Sequence, residues 1–119
     1  MTVPQAFVVI EDWVASYDNP ITVTTGEQVW LNGREDVWDG NLWLWARSKV
    51  GLEGWVPDNL IRSINDAMFA KYDYSARELD CKAGDTLQAA FATHGWSWCT
   101  TQDRRSGWVP DRCLRKCIQ

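Results

Sequence analysis

Aromatic rings and thiols are the side chains of this sequence with the most chemistry to offer. Nine tryptophans in 119 residues supply large flat apolar surfaces with one N–H edge, the material of a core, of a recognition surface, or of both. Four of them form the pairs Trp43-Leu44-Trp45 and Trp96-Ser97-Trp98, and two tyrosines stand as Tyr72-Asp73-Tyr74. The nucleophile and metal-ligand candidates are Cys81, Cys99, Cys113, Cys117 and the single His94. Zinc wants tighter pairs than Cys113-x-x-x-Cys117 with one distant histidine, so the expectation is buried reduced thiols with no metal and no other cofactor. Phosphate loop, histidine-rich metal motif and nucleophile elbow are all missing, which points to binding and away from catalysis.

Composition narrows the partner. Hydrophobic residues make up 45% and charged residues 24%, the balance of a folded chain and not of a disordered tail. Residues 1–64 carry 9 acids against 4 bases, and residues 65–119 carry 7 against 8. A nucleic-acid binder would show a clustered basic face, and the basic groupings here are confined to Arg104-Arg105 and residues 112–116, so no nucleic acid is expected. No apolar run approaches membrane-spanning length and no Lys or Arg precedes Arg34, so no membrane segment and a cytoplasmic location are expected.

The elements that must position these rings come in two copies. Trp43-Leu44-Trp45 lies 53 positions before Trp96-Ser97-Trp98, and Gly54-Trp55-Val56-Pro57-Asp58 lies 53 before Gly107-Trp108-Val109-Pro110-Asp111. Two separate motifs agreeing on one register mark an internal repeat. Upstream, Gly26-Glu27-Gln28-Val29 matches Gly84-Asp85-Thr86-Leu87 at an offset of 58, so the first copy carries extra residues, expected as a longer loop at 32–41 with turns at Asn32-Gly33 and Asp39-Gly40. Strands are expected at 7–10, 28–31, 42–47 and 54–56, and again at 68–72, 86–91, 97–101 and 107–109, where β-branched and aromatic residues concentrate between Gly, Asn, Asp and Pro. Period-2 alternation puts both tryptophans of each pair on one face and small Ala46 and Cys99 on the other, where they suit a crowded interior. Copies of this size cannot bury both large rings, so at least one ring of each pair should reach the surface.

In the second copy, Ala70-Lys71-Tyr72-Asp73-Tyr74, then Leu79, Cys81 and Gly84-Asp85, then Trp96, then Gly107-Trp108-Val109-Pro110, resemble in order the landmarks of a Src homology 3 (SH3) domain, divergent and of the bacterial variant type. The resemblance implies an all-β chain of two small SH3-like β-barrels in tandem, at 1–64 and 67–119, joined through Asn65 and Asp66. SH3 domains dock extended proline-rich segments between aromatic rings, because such a ligand is already ordered before it binds. Carried over by position, the second copy's ligand face is Tyr72, Tyr74, Trp96 and Pro110, with Glu78 as the acidic specificity residue. That copy has Arg112 and Cys113 where the family has Asn and Tyr, and its segment between Tyr74 and Leu79 is short. The first copy sets Glu11 and Trp13 at the tyrosine positions and offers Trp13, Trp43, Pro57 and Asn59, with Leu60 in place of the last tyrosine.

The reading these features favour is a non-catalytic tandem module that binds a protein or proline-rich peptide through an aromatic groove on the second domain, as an adaptor would. Its alternative is an assembly protein whose aromatic faces are buried between modules or in a homo-oligomer. A cell-wall module like the family's bacterial relatives is disfavoured by the missing export signal. The acidic group Glu35, Asp36 and Asp39 beside Trp38 reads as solvated surface.

Overall fold

The computed structural model describes residues 5–16 and 19–117. In chain order the strands are β1 (Gln5–Val9), β2 (Thr22–Val23), β3 (Gln28–Trp38), β4 (Asn41–Ser48), β5 (Glu53–Pro57), β6 (Ile61–Ile64), β7 (Ala67–Ala70), β8 (Tyr74–Ser75), β9 (Thr86–Thr93), β10 (Trp96–Thr100), β11 (Ser106–Pro110) and β12 (Leu114–Lys116). Short 3₁₀ turns at Asp58–Leu60 and Asp111–Cys113 follow β5 and β11. The fold is all-β, with two five-stranded antiparallel sheets of the kind SH3-like domains contain, ordered β11-β10-β9-β1-β12 and β5-β4-β3-β7-β6.

Those orders carry a surprise. Strand β1, from the first repeat, lies between β9 and β12 of the second, while β7, from the second repeat, lies between β3 and β6 of the first. The chain therefore forms two compact units, Met1–Ser16 with Glu78–Gln119 (unit 1) and Tyr17–Arg77 (unit 2), across which the sequence repeats at 1–64 and 67–119 are each divided. Each repeat has given its first arm to the other. The docking registers agree: Val9 N–H donates to Asp85 O and Gly84 N–H to Val9 O, both at 2.8 Å, and Ala70 N–H to Glu27 O and Gly26 N–H to Ala70 O do the same at 2.8 Å. Because the two copies present the same backbone edge, either arm fits either sheet, and sequence similarity alone could not choose between them.

Two further expectations change for local reasons. Asn65 and Asp66, read as the junction between domains, form the two-residue turn of the β6–β7 hairpin inside unit 2, with Ile64 opposite Ala67. Both take left-handed φ, 51° and 67°, which Asn and Asp tolerate better than other side chains and which a tight hairpin turn requires. Residues 32–41 likewise extend the β3–β4 hairpin instead of looping out: the register shifts between Leu31 and Glu35, where Gly33 has φ 85°, and the strands then pair on to Trp38 opposite Asn41. The extra residues went into a bulge and a longer ladder.

Each unit buries its own apolar set. In unit 1, Val9 packs with Leu79, Cys81, Leu87, Ala89, Cys99, Val109 and Cys113, so the exchanged arm contributes a core residue as well as a ladder. In unit 2, Ile21, Val23, Val29, Ala46, Val56, Leu60, Ala70, Tyr74 and Ala76 are buried. Fully burying one Ile or Leu is worth roughly 1.5–3 kcal/mol, so Ile21, Leu60 and Leu87, essentially without exposure, are the main anchors. The interior placement of Ala46 and Cys99 agrees with the alternation, and Trp43, Trp45, Trp96 and Trp98 all sit half-buried.

Candidate functional site

The exchange regroups the residues expected to form ligand faces. Tyr72 and Tyr74 lie in unit 2 with Trp43, Pro57 and Asn59, whereas Trp96, Pro110 and Glu78 lie in unit 1 with Trp13. The expected group of Tyr72, Tyr74, Trp96 and Pro110 is thus divided between the units, because the arm that carries the tyrosines is paired with β3 and β6.

In unit 2, strand pairing sets Trp43 on β4 directly opposite Pro57 at the end of β5. Pro57 presets the extended backbone (φ −67°, ψ 145°) from which the 3₁₀ turn starts and presents Asn59. Lys71 N–H donates to Leu60 O at 2.7 Å, which ties the tyrosine arm to that turn. Tyr72 Oη then donates to Asn59 Oδ1 at 2.6 Å. Tyr74 is buried and its hydroxyl donates to Trp55 O at 3.0 Å, so it supports the face from beneath. Partial burial, and after it the negative Asp58, push the Tyr72 hydroxyl above its ordinary pKa, so it stays protonated. Leu60, at the family's last tyrosine position, is wholly buried and adds nothing to the face. Asp36 lies opposite Trp43 in the β3–β4 ladder, and directly opposed residues share a face, so a carboxylate stands beside the ring.

Unit 1 assembles its counterpart differently. Trp96 is opposite Pro110, as Trp43 is opposite Pro57, but Trp13 packs edge-to-face against Trp96 with ring centroids 5.4 Å apart. The Arg112 guanidinium lies over the Trp13 ring at 5.6 Å, a cation–π contact. Glu78, expected to meet a ligand's basic residue, has its Oε1 engaged by the chain itself: it accepts from Trp13 Nε1 at 2.9 Å and from Ser16 N–H and Ser16 Oγ at 3.0 Å each. This face is filled from within.

Several of the remaining rings pack against one another within their units. Trp45 and Trp55 pack edge-to-face at 5.1 Å with the Arg34 guanidinium over both, and Trp45 Nε1 donates to Glu53. In unit 1, Trp98 and Phe91 pack on the buried Trp108. Cys81, Cys99 and Cys113 are free thiols buried together. Desolvation pushes Cys81 up to about 11 and Cys99 to about 12, far from a reactive thiolate. His94 sits at left-handed φ in the β9–β10 turn with Nδ1 2.9 Å from Thr93 Oγ1. Among the described residues no group of three or more His, Cys, Asp or Glu is placed to hold a metal ion, and no helix is long and apolar enough to cross a membrane.

Each unit is thus a small all-β body with clustered aromatic rings, and three thiols of unit 1 are buried. The family comparison names the class: a variant SH3 domain occupies residues 6–64, about half of the chain. SH3-type modules are non-catalytic binding folds, which supports a non-enzymatic role for the matched stretch. Among curated proteins, the tyrosine-protein kinase ABL2 of human and that of mouse are each 40% identical over 62 residues, covering 52% of this chain and 5% of the kinase. The chain therefore spans a small fraction of these relatives. No solved structure matches it. The family match runs through the crossing after Ser16, so one family-length stretch of sequence serves both units.

Proposed function

We propose that the chain is a protein-binding module of SH3-like barrels whose unit 2 takes an extended, proline-containing peptide on Tyr72, Trp43 and Asn59, with the fully buried Pro57 setting the turn beneath them. The observation that supports this most is the Tyr72 Oη to Asn59 Oδ1 bond beside the opposed pair Trp43 and Pro57. It gathers a tyrosine, a tryptophan and an amide on one edge over a buried proline, with ring faces that suit prolyl rings and polar atoms that suit the carbonyls of a polyproline helix. Asp36, beside Trp43, favours a ligand with an arginine next to its prolines. The groove expected on the second domain is thus proposed for unit 2, to which that domain's tyrosines contribute.

For unit 1 the internal packing of Trp13, Trp96 and Arg112 favours the other reading, a face used within the structure and closed to peptide. The two readings separate in one experiment. A two-dimensional NMR titration of the labelled chain with an arginine-flanked Pro-x-x-Pro peptide is expected to shift Tyr72, Trp43 and Asn59, to leave Trp96 and Trp13 unmoved, and to go flat in Trp43→Ala. A flat titration of the folded parent rejects peptide binding and leaves assembly as the function.

A further inference from the structure

We propose that the peptide face of unit 2 is a composite of both repeats, present only because the repeats exchange their first arms, and that the short segment 75–78 enforces the exchange. This rests on the reading of that face given above. The backbone bonds that dock the arms are the same in both directions, so they hold the fold without choosing it. Side chains choose. Glu11 and Tyr72 occupy matching places in the two arms, and the turns they meet read Asp58-Asn59 and Asp111-Arg112. Exchanged, Tyr72 meets Asn59 as a hydrogen-bond partner. Folded on itself, each repeat would do worse. Glu11 would stand where Asp58 already raises the Tyr72 hydroxyl, setting two carboxylates together, and Tyr72 would lose Asn59.

Connection length points the same way. Seven residues separate Trp13 from Ile21, but only four separate Tyr74 from Leu79. In the structure those four run onward: Ala76 N–H donates to Ile21 O at 2.9 Å in unit 2, and Leu79 N–H to Trp108 O at 3.0 Å in unit 1. To return on its own repeat, the chain would have to reverse within Arg77 and Glu78 and lift the buried Ala76 from the unit 2 core. A connection too short to turn back drives a strand onto another partner.

The test uses the whole chain with a protease site placed in the Asn65 and Asp66 turn. Cut after folding, the parent is expected to stay one species on size exclusion and to separate only in denaturant, since each unit then holds strands from both pieces. A second chain with five Gly/Ser residues inserted after Arg77 is expected to fall apart on cutting and to bind the arginine-flanked Pro-x-x-Pro peptide at least tenfold more weakly. Separation of the cut parent, or a lengthened chain that stays together with its affinity intact, overturns the proposal. A parent that stays together but never binds peptide also overturns it, through the face on which it rests, while leaving the exchange itself standing. Should the lengthened chain not fold, T22C/S75C gives an independent reading, because Thr22 is opposite Ser75 with hydroxyls 3.3 Å apart. An internal disulfide on oxidation supports exchange; free thiols, or cross-linking between chains alone, refute it.

Discussion

Tyr72 shows how one atom can join recognition to stability. Its hydroxyl holds Asn59, and a net hydrogen bond of this kind is worth about 0.5–1.5 kcal/mol. Tyr72→Phe should lower unfolding stability by that amount in urea titrations at pH 8. The folded Tyr72 is held above the ordinary tyrosine value, about 10, so its contribution is complete below that value and is lost as pH rises through the folded one. The unfolded chain ionises first, and stability falls. Parent and Tyr72→Phe should therefore converge as pH climbs past about 10; a gap that stays constant would show that the hydroxyl's environment does not depend on the fold. At this scale motif position alone singles out Tyr72, Trp43, Pro57 and Asn59 as candidates, and the proposed face uses three of them. Their grouping was not legible in the sequence, because motif position says which residue fills a place and not which copy of the place it fills.

At the scale of elements, the segment that enters unit 1 depends on one close approach. Residues 78 and 79 run beside β11, with Glu78 bridged to Trp108 in parallel, and a Cβ on Gly107 would come within 2.7 Å of the Glu78 carbonyl carbon and of the Leu79 nitrogen. Both are backbone atoms and cannot rotate away. Gly107→Ala should destabilise the protein by about 2–3 kcal/mol as the strand and segment move apart, measurable as a lowered denaturation midpoint; an unchanged midpoint would mean the segment is not held there. Eight strands could be read from alternation and turn residues because each is a half-buried run with its own pattern. Strands β2 and β8 have two residues each, too few for any period, while β6 and β12 follow 3₁₀ turns and pair only with the exchanged arms. Their existence depends on a partner the local sequence does not name.

For the whole molecule, the order of segments makes dependence run one way. Unit 2 is continuous, and unit 1 is built from the chain on either side of it. Folded, unit 2 fixes the distance between the two parts of unit 1; unfolded, it becomes a long loop whose closure costs roughly 4 kcal/mol by chain-entropy scaling. Leu60→Ala, in the unit 2 core, should therefore hasten hydrogen exchange in both sheets, whereas Leu87→Ala should hasten it in β9–β12 and leave β3–β5 protected. Each truncation removes about 2–5 kcal/mol, so the asymmetry is well within reach of measurement. Equal responses in both directions would point to a coupling that connectivity does not supply.

The pairing of β1 with β12, where Phe7 faces Lys116, also gives the chain a mechanical order. A load applied at its two ends acts first on two antiparallel neighbours, peeling them apart one hydrogen bond at a time in the weakest loading geometry. Unit 2 carries none of that load until Ser16 and Glu78 are drawn apart, and its rupture then releases about 3.5 Å per residue over Tyr17–Arg77, a step of roughly 200 Å. Under tension the unit proposed to hold the peptide is the last to yield, shielded by the sacrifice of its neighbour.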